Sequence, residues 1–186
     1  MGEVRNPLPV KLVMPMFTRH AELLETAEQA LVDRFGPMDY RSKRLPFDHT
    51  TYYEGEFGGG LERQFLSFQS LIDPGQLAEI KLLTNGLEES WSEAGRRRIN
   101  LDPGYISLSN LVLATTKNRE HRIYLGSGIY AEVTLSFRDK AFRPWPWTYP
   151  DYRSQPYLEI MRTIRGIYVE QLRSLRRAGR ITQQPG

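Results

Sequence analysis

Positions 96 to 105 read RRRINLDPGY: three cations running into two short polar side chains and a Pro-Gly pair. Guanidinium forks bind carboxylates and phosphates through paired, charge-assisted hydrogen bonds. Asn100 and Asp102 alternate, so they project the same way if this segment is extended. The chemistry on offer is anion recognition. Arg98 is expected to point inward, toward Asp102 or a ligand, with Lys117 on the cationic rim at the end of the next strand. Asp102-Pro103-Gly104-Tyr105 fits a type II turn, with Pro second and Gly third. A plainer account of the arginines is a helix end, where cations meet the negative pole of the peptide dipoles.

A second group lies in HRIYLGSGIYAEVTL, residues 121–135. If Gly126-Ser127-Gly128 is a three-residue loop, Leu125 lies opposite Ile129 and Ile123 opposite Ala131. Arg122 then faces Glu132, and Tyr124 faces Tyr130. One face is apolar: Ile123, Leu125, Ile129, Ala131, Val133 and Leu135. It is expected to pack on helices. The other carries Arg122, Tyr124, Tyr130, Glu132 and Thr134. It reads as a ligand-binding floor, with a tyrosine stacking a ring and Arg122 meeting an anion, or as a solvent face with a cross-strand ion pair.

A third group is FDHTTYYEGE, in which Asp48 and Glu56 flank a hydroxyl-rich stretch beside a glycine loop. Two carboxylates there could work as acid and base, or hold magnesium through oxygen. Asp48 and Glu56 are the candidate catalytic pair. Solvated acids beside a flexible loop are the plain alternative. There is no cysteine, and the histidines are His20, His49 and His121. Disulfides and thiolate chemistry are therefore excluded, a histidine-rich metal centre is not expected, no metal ligand set is assigned, and no cofactor is named.

The elements that must position these groups follow from periodicity. VKLVMPMF (10–17) reads as a buried strand, and 19–35 as a helix stopped by Gly36-Pro37. Residues 39–53 are extended and irregular, and 61–72 read as a strand, with a helix as the alternative. Asp73-Pro74 opens a helix that runs to about Arg97, with Leu77, Ile80, Leu83, Leu87 and Trp91 toward a core. Lys81, Thr84 and Glu88 make a polar stripe along that helix, read as a solvated flank that edges the pocket. Residues 105–116 and 121–137 look like a three-stranded meander. RPWPWTYPDYRSQP (143–156) is an aromatic strap laid on the body. Residues 157–177 form an amphipathic helix, and 178–186 a disordered tail. The expectation is one α+β domain over residues 1–177. It has a ferredoxin-like βαββαβ core, an added hairpin and final helix, and an antiparallel or mixed sheet. Leu24, Leu31, Leu83, Leu87, Ile123, Ala131 and Val133 are expected to share its core.

The chain has 186 residues, a net charge of +3 and 25% charged residues, which suits a globular domain that tolerates an anionic partner. No apolar run is long enough to span a bilayer, and the start lacks the apolar stretch of a secretory signal, so a cytoplasmic protein is expected.

PLPVKLVMPM, PFDHTTYY, GLERQFLSF, LIDPGQLAEIKLLTN, GRRRINLDPGYISLSNLVLATTK, HRIYLGSGIYAEVTL and PWTYPDYRS together resemble an uncharacterised bacterial and archaeal family, domain of unknown function 4416. The resemblance runs from about Pro7 to Leu172. It implies no established activity, although some members carry a GTP-binding label. This chain has no Gly-x-x-x-x-Gly-Lys-Ser/Thr to cradle a triphosphate. Its residues favour a small anionic ligand, a nucleotide or phosphorylated metabolite, held on the polar-aromatic face and processed by Asp48 and Glu56 if the protein is an enzyme. A single-stranded RNA or nucleic-acid module, with bases stacked on tyrosines, is the second reading. A protein-interaction scaffold whose aromatic strap docks a partner is the third.

Overall fold

A computed structural model describes residues 2–47 and 57–181. Asp48, His49 and Glu56 lie outside the described residues, as do residues 182–186. The chain is α+β; among the described residues there are three named α-helices and one large sheet whose strand pairs are all antiparallel.

The first strand, β1 (Val10–Thr18), is buried along its whole length. That is why it reads as a continuous apolar run instead of an alternating one. Helix α1 (Ala21–Phe35) follows, then β2 (Met38–Arg41), β3 (Leu45–Pro46) and β4 (Glu62–Ile72). Asp73 caps a single 3-10 turn at Pro74–Gln76, which leads into α2 (Leu77–Ser90). Then come β5 (Ile99–Leu101), β6 (Gly104–Ile106), β7 (Asn110–Thr115), β8 (Arg122–Gly126), β9 (Ile129–Arg138) and β10 (Ala141–Pro144). The last helix is α3 (Gln155–Arg177). Across the sheet the order is β10-β9-β7-β6-β1-β4-β2, with β3 beside β4, β5 beside β1 and β8 beside β9.

The two faces carry different helices. Leu23, Leu24, Ala27 and Leu31 of α1 and Ile80 of α2 pack with Leu12, Met14, Met16, Leu66 and Phe68. On the other face, Tyr157, Met161, Ile164, Tyr168 and Leu172 of α3 pack with Val13, Phe65, Leu111 and Leu135. Buried Lys11 ties these layers together: its ammonium pairs with Asp39 and donates to the Phe68 carbonyl at 2.6 Å and to Gln171 Oε1 at 2.8 Å.

The helix opened by Asp73 ends at Ser90, short of Arg97. Ala94 and Gly95 turn back with positive φ, and Glu93 bridges Arg96. The three arginines therefore enter β5 and do not close a helix. The Pro103-Gly104 pair is not a type II turn either, because Gly104 lies in a strand opposite Val13 and Leu113. Glycine is required there by close approach. A Cβ at Gly104 would sit 2.4 Å from the Val112 carbonyl oxygen and 2.6 Å from Leu113 Cδ2.

The expected meander is reordered. Glu132 of β9 pairs with Leu113 of β7 on one side and with Arg122 of β8 on the other. The segment 116–121 therefore has to cross β9. The predicted pairs Arg122–Glu132, Ile123–Ala131 and Tyr124–Tyr130 are all present, but Gly126 instead of Leu125 faces Ile129, across a bulge. Burial on the two faces differs from expectation as well. Ile123 is 66% exposed and Leu125 42% exposed on an edge strand beyond the reach of the helices, whereas Glu132 and Thr134 are buried. A second bulge shifts the β7–β9 register between Leu111 and Val112, so Ala131 and Val133 face α2 while Leu135 joins the α3 side. Ile123 thus drops out of the core set assigned to it, Leu83 is only half-buried, and Ala131 and Val133 pack around Leu77 in a cluster separate from that of Leu24 and Leu31.

Gly104→Ala is expected to destabilise the protein by about 3 kcal/mol, because the added methyl meets backbone that cannot step aside. Urea unfolding of the two proteins measures this.

Candidate functional site

β5 and β6 are one strand with a gap. Met16 pairs with Leu101 and Val13 with Gly104, which keeps a single register against β1 across Asp102 and Pro103. On the far side the partner is lost. β7 pairs with Gly104–Ile106, and Ala114 N–H still reaches the Pro103 carbonyl at 2.9 Å. Beyond that point β5 pairs with β1 alone among the described strands. Pro103 has no N–H to continue a ladder. The sheet therefore splits, and a cleft opens between the free edge of β5 and the end of β7.

Backbone groups on a buried edge must be satisfied. Helix α2 does this with its polar stripe. Glu88 Oε1 accepts from Leu101 N–H at 2.6 Å, and Lys81 Nζ donates to the Leu101 carbonyl at 2.7 Å. Two side chains thus replace a neighbouring strand. Lys81, Thr84 and Glu88 are buried and do not form the solvated flank expected from the sequence. Arg97 extends the network: its Nη1 donates to Glu88 Oε2 at 3.1 Å and to Asn100 Oδ1 at 2.9 Å. Burial pushes the Glu88 carboxyl above its ordinary value, an effect that Lys81 and Arg97 oppose.

Asp102 occupies the gap itself. One carboxylate oxygen lies 3.8 Å from Lys81 Nζ, and the other lies 4.0 Å from Arg63 Nη2. Arg63 is buried on β4. It pairs with Asp151 at 2.5 Å and stacks over the Phe47 ring at 3.9 Å. Two cavities meet here. One of about 290 Å³ is walled by Phe47, Arg63, Tyr149 and Tyr152, with Arg119 and Arg122 above. The other, of about 490 Å³, is walled by Lys81, Glu88, Arg97 and Asn100. Asp102, Thr115 and Lys117 line both.

Of the residues expected to bind a ligand, Asn100, Asp102, Lys117, Arg122 and Glu132 line these cavities. Three do not. Arg98 turns toward the start of α1, 3.4 Å from both His20 and Glu22, and its neighbour Arg97 takes the inward place. Tyr124 and Tyr130 touch each other at 5.2 Å on the edge hairpin, away from the cavity walls. Arg122 and Glu132 are committed to each other. They pair at 2.8 Å with both side chains 4% exposed, and His121 joins the carboxylate at 3.1 Å. Arg122 Nη1 also donates to the Lys117 carbonyl, which fastens the crossing segment down over Glu132.

Arg63, Tyr152 and Asp151 were not singled out from the sequence. Asp151 and Tyr152 arrive on the strap, where Tyr149 also faces the cleft. The strap lies on the body as expected, here across β9, with Thr148 donating to the Thr134 carbonyl and Trp147 to the Val133 carbonyl, although Trp147 and Tyr149 stay exposed. The alternation Arg63, Phe65 along β4 was the only available signal for Arg63, and it does not say which face is buried. Among the described residues no group of three or more His, Cys, Asp or Glu side chains is placed to hold a metal ion, and no helix is long and apolar enough to cross a membrane.

An α+β protein with a charged cleft where its sheet divides is the class these features define. The family model "Domain of unknown function (DUF4416)" matches residues 8–168, and the chain belongs to that family. No curated protein and no solved structure gives a significant match.

Removing one partner of a buried pair strands the other charge. Arg122→Ala is therefore expected to cost about 3 kcal/mol or more of folding stability, read by denaturant unfolding. Glu88 gives a pH signature. Its folded pKa is raised, so its contribution to stability is full below the ordinary carboxylate range and is lost as pH rises through the raised value. The stability difference between the native protein and Glu88→Gln should shift against the native protein from about pH 4.5 toward neutrality. Parallel urea midpoints across that range measure it.

Proposed function

We propose that the protein binds a small anionic ligand, a nucleotide or phosphorylated metabolite, in the cleft at the open edge of β5. The observation that carries this reading is a set of buried donors without partners on the cleft walls: Arg63 Nε, Asn100 Nδ2 and the Tyr152 hydroxyl. A buried polar group left unmade costs about 1–3 kcal/mol, which a ligand rich in acceptors would offset. Burial pushes the Tyr152 phenol well above its ordinary value, so it stays protonated and able to donate. Lys117 and Arg119 add cationic walls at the mouth, and the aromatic side of the first cavity suits a flat or apolar portion.

Asp48 and Glu56 keep their proposed acid–base role on the strength of chain position. They are the immediate neighbours of Phe47 and Phe57; Phe47 walls the first cavity, and the Phe57 ring lies 5.3 Å from the Arg97 guanidinium. For the scaffold that carries the cleft, a ferredoxin-like βαββαβ core is the architecture we favour. It is supported by the order β5/β6-β1-β4-β2 and by α1 and α2 sharing one face.

The test is mass spectrometry of small molecules released on denaturing the purified protein, followed by calorimetry with what is found. An anionic compound is expected, with Arg119→Ala weakening its binding by about 1.5–3 kcal/mol. Absence of any bound anion, together with no thermal stabilisation by phosphorylated compounds, would overturn the reading. Tight, steeply salt-dependent binding of single-stranded RNA would replace it with the nucleic-acid alternative.

A further inference from the structure

We propose that the ligand of this cleft is a phosphorylated polyol or sugar, with a hydroxyl seated between Asp102 and Asn100 at the junction of the two cavities. This deepens the anionic-ligand reading and rests on it. A bare phosphate does not suit the junction, because the Asp102 carboxylate lines both cavities and repels a second anion. The buried carboxylates around the cleft are already engaged. Glu88 holds Leu101 N–H, Glu132 holds Arg122, and Asp151 holds Arg63. Asp102 differs. Its cationic neighbours stand 3.8 and 4.0 Å away, beyond hydrogen-bond distance, and among the described residues nothing donates to its oxygens.

Asn100 supplies the complement. Its Oδ1 accepts from Arg97 at 2.9 Å, which fixes the amide orientation and leaves Nδ2 as the remaining donor. That nitrogen has no partner, and the residue is only 4% exposed. An unused acceptor beside an unused donor is the complement of a hydroxyl, which donates and accepts at once. The phosphate of the same molecule then lies away from Asp102, toward Lys117 and Arg119 in the first cavity.

Calorimetry and thermal-shift measurements with four probes test this: ribose 5-phosphate, 2-deoxyribose 5-phosphate, propyl phosphate and inorganic phosphate. Ribose 5-phosphate is expected to bind about tenfold or more tighter than propyl phosphate, the factor that one charge-assisted hydrogen bond supplies. In Asp102→Asn that preference should fall to about threefold or less, while affinity for inorganic phosphate holds or rises. Equal binding of all four probes by the unaltered protein overturns the hydroxyl assignment and leaves the anion site standing. A preference that survives in Asp102→Asn overturns it as well. Failure of every probe, inorganic phosphate included, overturns both readings. The comparison of hydroxylated with unhydroxylated phosphates on the unaltered chain needs no variant, so it decides the matter even if the Asn variant does not fold.

Discussion

The cleft exists because one strand loses its neighbour halfway along. Opposite β1 the segment Ile99–Ile106 runs without a change of register. Opposite β7 the pairing ends at Gly104. A proline at the point of parting withholds the N–H that a further rung would need, and a glycine just after it lets β7 press close before it leaves. The chemistry gathered around Asp102 depends on this departure.

A strand edge left open inside a protein is costly unless its amides and carbonyls find partners. Lys81 and Glu88 serve that need for Leu101, one turn-pair apart on a helix that lies over the edge. Using charged side chains in place of a strand leaves room beside them, since they are slimmer than a strand and its side chains. It also brings ionised groups into a sparsely hydrated place, where each must be balanced. Arg97 balances Glu88, and Asp102 faces both Lys81 and Arg63. Structural repair of the edge and the polar character of the cleft are thus one arrangement seen from two sides.

The strap and the crossing segment supply the other walls. Because β8 lies outside β9, residues 116–121 must travel over Glu132, and the buried Arg122–Glu132 pair holds them there. The strap then covers the next stretch of β9, bringing Tyr149, Asp151 and Tyr152 to face Arg63. Phe47, Asp102 and Asp151, distant in sequence, meet around this one buried guanidinium.

Local pattern was enough for the element types: the apolar run of β1, the glycine stop of α1, the Asp-Pro start before α2, and the cross-strand partners of the 121–135 hairpin. Each depends on neighbours a few residues away. The family was legible too, because it is carried by long contiguous stretches. Asn100 and Asp102 were singled out by alternation and Lys117 by its place at the end of the next strand, and all three line the cavities. Arg98 was chosen over Arg97 because adjacent residues in an extended segment face opposite ways, and only the packed neighbours say which way is in. The same limit applies to the hairpin. Three of its cross-strand pairs were correct and the one next to the loop was not, yet Ile123 ended outside and Glu132 inside, since burial depends on what lies over each face. Here that was settled by a crossing loop, a strap and the reach of a helix. Arg63 and the Lys81–Glu88 edge needed the whole fold, for their roles are defined by backbone that is distant in the chain or by a strand partner that is missing.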